Sequence, residues 1–325
     1  MMIARVARMG AWRARVPWYV RWGVGLALVA VTLALLDPGE VGAHLGGVDW
    51  ALAAPAIVAL VLVHGFAALT WQYLVAAVTG WRLPVGAALR AYYAGQALGG
   101  MTPGNVGADV YRARLLAREG QGLRAAMSPV LMQRLGGYGA LAAMAAAASL
   151  VVPLDVAPRV VFGGLALAAG LASGGWWAVS RRRAGGSGGF LAAVLLGGAF
   201  HGAAIMFTFA LLRSVTGAGD ASTLVAGLTV ARAAMLLPVT PNGLGLQEIA
   251  MASALPAAGV PAEAALATAA LSRLSNLVVM ALGGLLLVAN RTRVASAYVT
   301  GAEVDGGGWL SRGARPGTGG RVRRG

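Results

Sequence analysis

The sequence predicts an all-α membrane protein: a polytopic helix bundle with about six full spans and two re-entrant helical hairpins in an inverted-topology repeat. An apolar composition, several long apolar segments and two similar Pro/Gly-broken segments support this prediction. Hydrophobic residues make up 58% of the 325-residue chain and charged residues 11%, with a mean hydropathy of +0.72. Soluble domains carry about 25% charged residues, so water is not the solvent for most of this surface.

The full spans are predicted from apolar segments near or above the ~20 residues that a helix needs to cross the hydrocarbon core. They cover residues 18–36, 50–78, 126–152, 159–180, 190–212 and 262–289. The first span follows an arginine-rich segment, as the apolar region of a signal peptide would. Because five more spans follow it, we expect it to be retained.

The distribution of arginine predicts the topology. All 26 basic residues are arginine, and with 11 acidic residues they give a net charge of +15. Five arginines lie in the first 21 residues, whereas the loop 37–49 contains none. Because basic residues favour cytoplasmic loops, we predict a cytoplasmic-membrane protein with both termini in the cytoplasm and no nucleic-acid partner. The predicted parts are a cytoplasmic segment (1–21), a transmembrane domain (22–290) and a disordered basic cytoplasmic tail (291–325).

Two further apolar segments, 86–101 and 222–237, are too short for a full crossing. Arginines flank the first segment on both sides, so it is expected to enter and leave from the cytoplasmic face. The second lies between an outgoing and an incoming span and is expected to enter from outside. A Pro/Gly break follows each segment, which favours re-entrant hairpins whose irregular backbone is buried in protein or lines a cavity.

The two breaks contain similar motifs. They read TPGNVGAD at 102–109 (the first motif) and TPNGLGLQE at 240–248 (the second motif). With one residue inserted in the second motif, Asp109 aligns with Glu248. The same alignment pairs Arg134 with Arg273, because 25 residues separate the carboxylate from the arginine in both copies.

The predicted topology places the two copies, about 50–152 and 190–290, in opposite orientations. Gly/Pro-broken segments at corresponding places in two inverted halves indicate a binding site near the middle of the bilayer. The sequence therefore predicts that the two motifs line one central cavity.

Each motif is suited to a sharp turn followed by a new helix. Pro103 and Pro241 lack an N–H group, and the neighbouring glycines allow positive φ. We expect the helices to restart near Asn105 and Asn242, which are good N-cap residues. A helix start offers unpaired N–H groups and a positive dipole end, which favour an anion such as a lipid phosphate.

The charged residues near the motifs have two interpretations. Asp109 and Glu248 could complement the helix dipoles or pair with Arg112 and Arg134 for structural reasons. They could instead gate the cavity, bind a cationic headgroup or carry a proton, since ionisable groups inside a membrane are functional candidates by default. Arg134 and Arg273 could likewise anchor their helices at the interface by snorkelling.

The motifs and their surroundings resemble the lysylphosphatidylglycerol synthase transmembrane family, a flippase-like integral membrane protein family. The resemblance is carried by GMTPGNVGADVYRARLLAREG (100–120), QRLGG (133–137), LLPVTPNGLGLQEIAMASALPAAGVP (236–261) and LSRLSN (271–276), and it covers about residues 20–290. It implies transfer of a lipid between leaflets, such as an aminoacylated phosphatidylglycerol or a polyprenyl-linked glycolipid. The candidate cavity residues are Pro103, Gly104, Asn105, Gly107, Asp109, Arg112, Arg134, Pro241, Asn242, Gly243, Gly245, Glu248 and Arg273.

Two departures from the family pattern matter. The second motif of the family often reads Ser-Pro-Gly-Gly with a basic residue before the glutamate, whereas this chain has Thr-Pro-Asn-Gly and Gln247. The headgroup preference is therefore expected to differ. No aminoacyl-transferase domain follows residue 290, so we expect that the chain does not synthesise lysyl-lipid itself.

The leading hypothesis is a lipid flippase or scramblase that translocates an anionic, aminoacylated or polyprenyl-linked lipid. One alternative is a non-transporting scaffold for a separate lipid synthase or glycosyltransferase, and another is an intramembrane transferase or hydrolase that uses Asp109 and Glu248. With no cysteine, no P-loop and three scattered histidines, no metal or cofactor is expected. His64 and His201 are interpreted as packed between helices, and Arg232 has no counterpart in the first half. The sequence leaves the lipid, the direction of transport and the oligomeric state open.

Overall fold

The described part of the chain consists of helices joined by short turns. The computed structural model describes residues 18–118, 122–150, 186–217, 220–237 and 239–299, which form ten α-helices and no strands. The helices are α1 (Trp18–Leu35), α2 (Pro38–Gly46), α3 (Trp50–Thr79), α4 (Val85–Gly99), α5 (Val106–Arg118), α6 (Leu123–Ala148), α7 (Gly186–Thr216), α8 (Ala221–Ala233), α9 (Leu246–Ala254) and α10 (Ala262–Val299). The predicted all-α class is confirmed for these residues.

Three helical segments are long and apolar enough to cross a membrane: Trp50–Thr79, Gly189–Thr216 and Ala262–Ala289. They correspond to three of the six predicted spans. Helix α6 covers most of a fourth, 126–152, but it is not apolar enough to join this group. The predicted span 159–180 lies outside the described residues.

The first predicted span passes the same test only together with α2, and the two helices meet at a bend of 94°. We expected residues 37–49 to be a loop, but residues 38–46 form α2. The Asp37 carboxylate accepts a hydrogen bond of 2.7 Å from Gly39 N, and Pro38 occupies the first turn, where its missing N–H is harmless. An N-cap aspartate and the following proline therefore start a new helix.

The last helix extends further than predicted. Helix α10 continues to Val299, whereas we expected the disordered tail to begin at residue 291. No glycine or proline interrupts the sequence between Gly284 and Gly301, so nothing local ends the helix. The rest of the predicted tail lies outside the described residues.

The two short helices lie where the sequence predicted them and interlock the two halves. Helix α4 corresponds to the predicted segment 86–101, and α8, followed by the 3₁₀ turn Ala234–Leu236, corresponds to 222–237. Helix α4 packs against α10, and α8 packs against α6, so each short helix contacts a long helix of the other half. A Cβ atom on Gly283 of α10 would collide with the carbonyl of Tyr93 on α4, which shows how closely these helices approach.

Candidate functional site

Each motif folds into a tight turn with two consecutive residues at positive φ. The angles are 56° at Gly104 and 60° at Asn105 in the first motif, and 46° at Asn242 and 68° at Gly243 in the second. Positive φ at both central residues is the property of a type I′ turn, which asparagine and glycine adopt most readily. The order Gly-Asn in one motif and Asn-Gly in the other therefore produces the same backbone turn.

The two turns meet each other. Pro103 and Pro241 form an isolated antiparallel bridge, so the two motifs pass each other in opposite directions. Neither proline can donate a backbone hydrogen bond, which prevents this contact from extending into a ladder. The prediction that the motifs lie together is thus confirmed.

The first turn leads directly into α5. This helix begins at Val106, next to Asn105, as expected. The Asn105 side chain donates to the Gln96 side chain over 3.3 Å, while the Thr102 hydroxyl accepts the bond from Gly107 N at 2.7 Å. The threonine therefore takes the capping role that we assigned to the asparagine.

The second helix starts later than expected. Helix α9 begins at Leu246, and Gly245 occupies the N-cap position with φ of 80°, so the N-cap prediction for Asn242 was wrong. Glu248 accepts the Gly245 N–H over 2.8 Å. Asn242 is used inside the turn, where its positive φ is needed. At each helix start, one of the N–H groups that we expected to bind an anion is thus already hydrogen-bonded to a side chain of the protein.

In the first half, Asp109 is held between two arginines. Arg112 Nη2 donates to its carboxylate over 2.8 Å, and Arg134 forms the second ion pair. Arg134 also donates to the Gly104 carbonyl and to the Tyr138 hydroxyl. Arg134 on α6 therefore ties the turn of the first motif to the first turn of α5.

Arg112 is enclosed by protein. Its guanidinium carbon lies 4.9 Å from the ring centre of Tyr92 and 5.5 Å from that of Trp71, and Nη1 donates to Gln133 over 2.7 Å. The residue is only 5% exposed. Aromatic faces and a carboxylate together compensate a cation at this depth.

The second half repeats this arrangement with one arginine. Arg273 on α10 pairs with Glu248 through two bonds, Nε to Oε1 at 2.6 Å and Nη2 to Oε2 at 3.0 Å. It also donates to the carbonyls of Asn242 and Gly243 over 3.5 and 3.3 Å. Arg273 thus ties the second turn to α9 as Arg134 ties the first turn to α5.

These contacts bear on the two interpretations of the charged residues near the motifs. Asp109 pairs with Arg134, as the structural interpretation had it, and Glu248 pairs with Arg273, the residue that the alignment matches to Arg134. Arg134 and Arg273 both donate to the backbone of the motifs and to a carboxylate, so both side chains belong to the site. The pairings also support the structural interpretation of the two carboxylates.

A cavity of about 210 Å³, the central cavity, lies between the two motifs. Both halves of the chain contribute to its wall, and more than half of the residues that line it carry polar side chains. These polar residues are His64, Tyr92, Gln96, Asn105, Tyr138, His201, Arg232, Asn242, Gln247, Ser272, Arg273 and Asn276.

Two further spaces adjoin the first motif. A side cavity of about 140 Å³ shares Asn105, Tyr138 and His201 with the central cavity and is lined by Asp109, Arg112 and Arg134 as well. An outer groove of about 750 Å³ runs along α5 and the first motif, and the end of α4 adds Leu98 to it. It is lined mainly by apolar residues, with two arginines towards the end of α5: Leu98, Met101, Thr102, Pro103, Val106, Gly107, Val110, Tyr111, Arg114, Leu115 and Arg118.

The structure distributes the thirteen predicted residues over these spaces. The central cavity is lined by Gly104, Asn105, Asn242, Gly243 and Arg273. The side cavity is lined by Asn105, Asp109, Arg112 and Arg134. Pro103 and Gly107 line the outer groove. The other three support the second turn: Pro241 contacts Pro103, Gly245 packs against α1, and Glu248 binds Arg273.

Sequence reasoning missed part of the cavity wall. Gln96, Tyr138, Gln247, Ser272 and Asn276 were not proposed as site residues, although each is a polar residue within an apolar or motif-flanking segment. His64, His201 and Arg232 were considered but assigned to packing or given no role. Polar side chains within or next to predicted membrane segments were the available signal.

The chain matches the family described as the lysylphosphatidylglycerol synthase transmembrane region over residues 20–185 and 175–284. Comparison with curated proteins gives no match. The family match confirms the resemblance that the two motifs and the segments around Arg134 and Arg273 carry, and it indicates a lipid-related function. This chain is therefore a membrane protein that belongs to the lysylphosphatidylglycerol synthase transmembrane region family.

Proposed function

We propose that the chain is a lipid flippase or scramblase of the cytoplasmic membrane. In this proposal six spans and two re-entrant hairpins form an inverted repeat, both termini are cytoplasmic, and an anionic, aminoacylated or polyprenyl-linked lipid is the substrate. The chain acts as a transporter and not as an enzyme, and membrane lipids are its partners.

One observation carries the proposal: a cavity with polar walls lies between the two broken motifs. Irregular backbone is tolerated at membrane depth where it lines such a cavity. The repeated contacts support the inverted repeat, since α4 packs on α10 as α8 packs on α6, and both motifs are tied by an arginine. Transporters built from inverted repeats bind their substrates at such an interface.

The spaces around the first motif match the two ends of a lipid. The central cavity has polar walls that suit a headgroup, whereas the outer groove is mainly apolar and suits an acyl chain. Gly104 lines the first and Pro103 the second, so one turn of backbone separates them. A lipid could thus place its headgroup inside while its chains stay in the bilayer.

Transport requires the motifs to separate. They touch at Pro103 and Pro241, so a headgroup cannot pass between these residues in this arrangement. No P-loop is present in the sequence, so movement runs downhill or is coupled to protons through Asp109 or Glu248. Loss of the charge on Asp109 or Glu248 would weaken the ion pair that links Arg134 to α5 or Arg273 to α9, and each motif would then be held mainly by the bonds from its arginine to the turn carbonyls.

Reconstitution into proteoliposomes tests the proposal. Labelled phosphatidylglycerol, aminoacyl-phosphatidylglycerol and a polyprenyl-phosphate glycolipid are placed in one leaflet, and their appearance in the other is followed. We expect at least one lipid to move, with a large loss of rate after Asp109→Asn or Glu248→Gln. Asp49→Asn is the matched control, because Asp49 caps α3 away from the cavity and asparagine caps equally well.

Other outcomes would favour the alternatives. No movement of any lipid, or wild-type rates in both carboxylate variants, would refute the transport proposal. Co-purification with a lipid synthase or glycosyltransferase that survives substitution of both motifs would favour a scaffold. Product formation by the purified chain alone would favour an enzyme.

A further inference from the structure

Arg232 differs from the other arginines that surround the two cavities. Arg112, Arg134 and Arg273 each pair with a carboxylate. Arg232 lines the central cavity from the last turn of α8, and among the described residues it has no carboxylate partner. Its one hydrogen bond in this part of the chain runs from Nε to Nδ1 of His201 over 3.3 Å.

The polar centre of the protein therefore carries an excess of positive charge. Around the central and side cavities, the described residues include four guanidinium groups and two carboxylates, which leaves an excess of two charges. Because arginine only donates hydrogen bonds, Nδ1 of His201 accepts and carries no proton, so this histidine adds no charge. A cation in a poorly solvated site is unfavourable unless an anion accompanies it.

The free part of the Arg232 guanidinium suits a phosphate. One of its five N–H donors is used by His201, so four remain among contacts to described residues. Two parallel N–H groups of a guanidinium match two oxygens of a phosphate in a bidentate contact. The amide side chains of Gln247 and Asn276 lie in the same wall and offer further polar contacts.

The size of the central cavity limits the group attached to that phosphate. Sites for drug-sized ligands have volumes of about 300–1,000 Å³. The central cavity, at about 210 Å³, is smaller. It accommodates a phosphate with a small headgroup, whereas an oligosaccharide would require a different arrangement of the motifs.

We propose that Arg232 is the anion-binding residue of the central cavity and binds the phosphate of a lipid that has a small headgroup. This inference rests on the proposed function, because it takes the anion to be part of a lipid. It narrows the substrate class to small phosphodiester lipids and assigns their recognition to a residue outside both motifs.

The test is lipid binding to the purified full chain in detergent, measured for wild type, Arg232→Gln, Arg232→Lys and the control Arg124→Gln, which removes an exposed arginine at the start of α6. The probes are short-chain phosphatidylglycerol, short-chain diacylglycerol and inorganic phosphate. We expect Arg232→Gln to weaken phosphatidylglycerol binding about 10- to 100-fold, the range for one charge-assisted contact. Arg232→Lys should weaken phosphatidylglycerol binding less, and Arg124→Gln should leave it unchanged.

Thermal unfolding separates a binding role from a structural one. Without lipid, Arg232→Gln should unfold at the same temperature as wild type or higher, because it removes an uncompensated cation. Added phosphatidylglycerol should then stabilise this variant less than wild type. A variant that is less stable without lipid but binds phosphatidylglycerol with wild-type affinity would show that Arg232 is structural, and would overturn the inference.

Two more results would overturn it: equal binding of phosphatidylglycerol and diacylglycerol, or inorganic phosphate binding as tightly as the lipid. Failure of the proposed function would give a different result. Arg232→Gln would still weaken phosphatidylglycerol binding, but no lipid would cross the proteoliposome membrane even with the wild-type protein. Conversely, unchanged binding and transport in Arg232→Gln would refute this inference and leave the transport proposal intact.

Discussion

The two carboxylates of the site are expected to differ in their contribution to stability. Asp109 compensates two guanidinium groups, Arg112 and Arg134, whereas Glu248 compensates Arg273 alone. Substitution by the isosteric amide keeps the shape of each side chain and removes its charge. Asp109→Asn therefore leaves two arginines without a carboxylate partner, and Glu248→Gln leaves one.

The magnitudes follow from burial and from the contacts that remain. The side chains of Asp109 and Glu248 are 11% and 5% exposed, so solvent screens neither strongly. Removing one partner of a buried pair costs about 3–5 kcal/mol. Arg273 keeps its bonds to two turn carbonyls, and Arg134 keeps those to Gly104 and Tyr138, so the loss of one ion pair lies at the lower end of this range in both halves. Asp109→Asn should cost about 1.5–3 kcal/mol more, the value of one further charge-assisted contact.

The measurement is the free energy of unfolding in mixed micelles, with a double-mutant cycle for each pair. The cycles combine Asp109→Asn with Arg134→Gln, and Glu248→Gln with Arg273→Gln. We expect coupling energies of about 1.5–3 kcal/mol, above the ~0.6 kcal/mol average for hydrogen bonds in a membrane protein. Equal costs for the two carboxylate variants, or coupling below about 0.5 kcal/mol in both cycles, would refute this reasoning.

Three further predictions concern the elements that hold the site. Thr102→Val should destabilise the protein by about 1–3 kcal/mol because it removes the cap of α5. Thr240→Val should be neutral or stabilising, since that buried hydroxyl has no partner among the described residues. The free energy of unfolding of both variants checks this, and equal losses of stability would contradict it. Gly283→Ala should lower the stability by about 1–3 kcal/mol because its Cβ would meet the backbone of α4. Gly284→Ala should leave the stability unchanged because its Cβ meets open space. The same unfolding measurement tests both, and an unchanged stability in Gly283→Ala would mean that α4 and α10 are further apart. Hydrogen bonds from a serine hydroxyl and from a threonine N–H and hydroxyl lower the pKa of Asp220 to about 2, so its cap should protect the first turn of α8 above the ordinary pKa near ~3.9 and be lost as the pH falls through about 2. Amide hydrogen exchange in that turn should be faster in Asp220→Ala than in wild type and unchanged in Asp220→Asn. Protection that is already lost between pH 7 and pH 5 would contradict the capping role of Asp220.

The parts of the site that are close in sequence were predictable. The two short helices follow from the length of their apolar segments, and the turns follow from consecutive Gly and Asn residues after a proline. The equivalence of Arg134 and Arg273 followed from one shared spacing of 25 residues, and in the structure each arginine pairs with the carboxylate of its own copy. In each case a local pattern determines the structure.

The contacts between distant segments were not predictable in the same way. The position of Arg232 depends on how α8 packs against α6 and α7, and no spacing in the sequence encodes it. The capping roles of Thr102 and Gly245 depend on small differences in turn length between the motifs. Helix α2 is a different case, because Asp37 and Pro38 are a readable helix start that we assigned to a loop.

The central claim is that a lipid headgroup passes between the two motifs, and a reversible disulfide tests it most directly. The sequence has no cysteine, so Pro103→Cys with Pro241→Cys introduces one pair at the point where the motifs touch. An antiparallel bridge places Cα atoms about 4.5–5.5 Å apart, within the range of a disulfide. We expect lipid translocation in proteoliposomes to stop on oxidation and to resume on reduction, with no redox effect in either single variant; a disulfide that forms without slowing translocation would contradict the account.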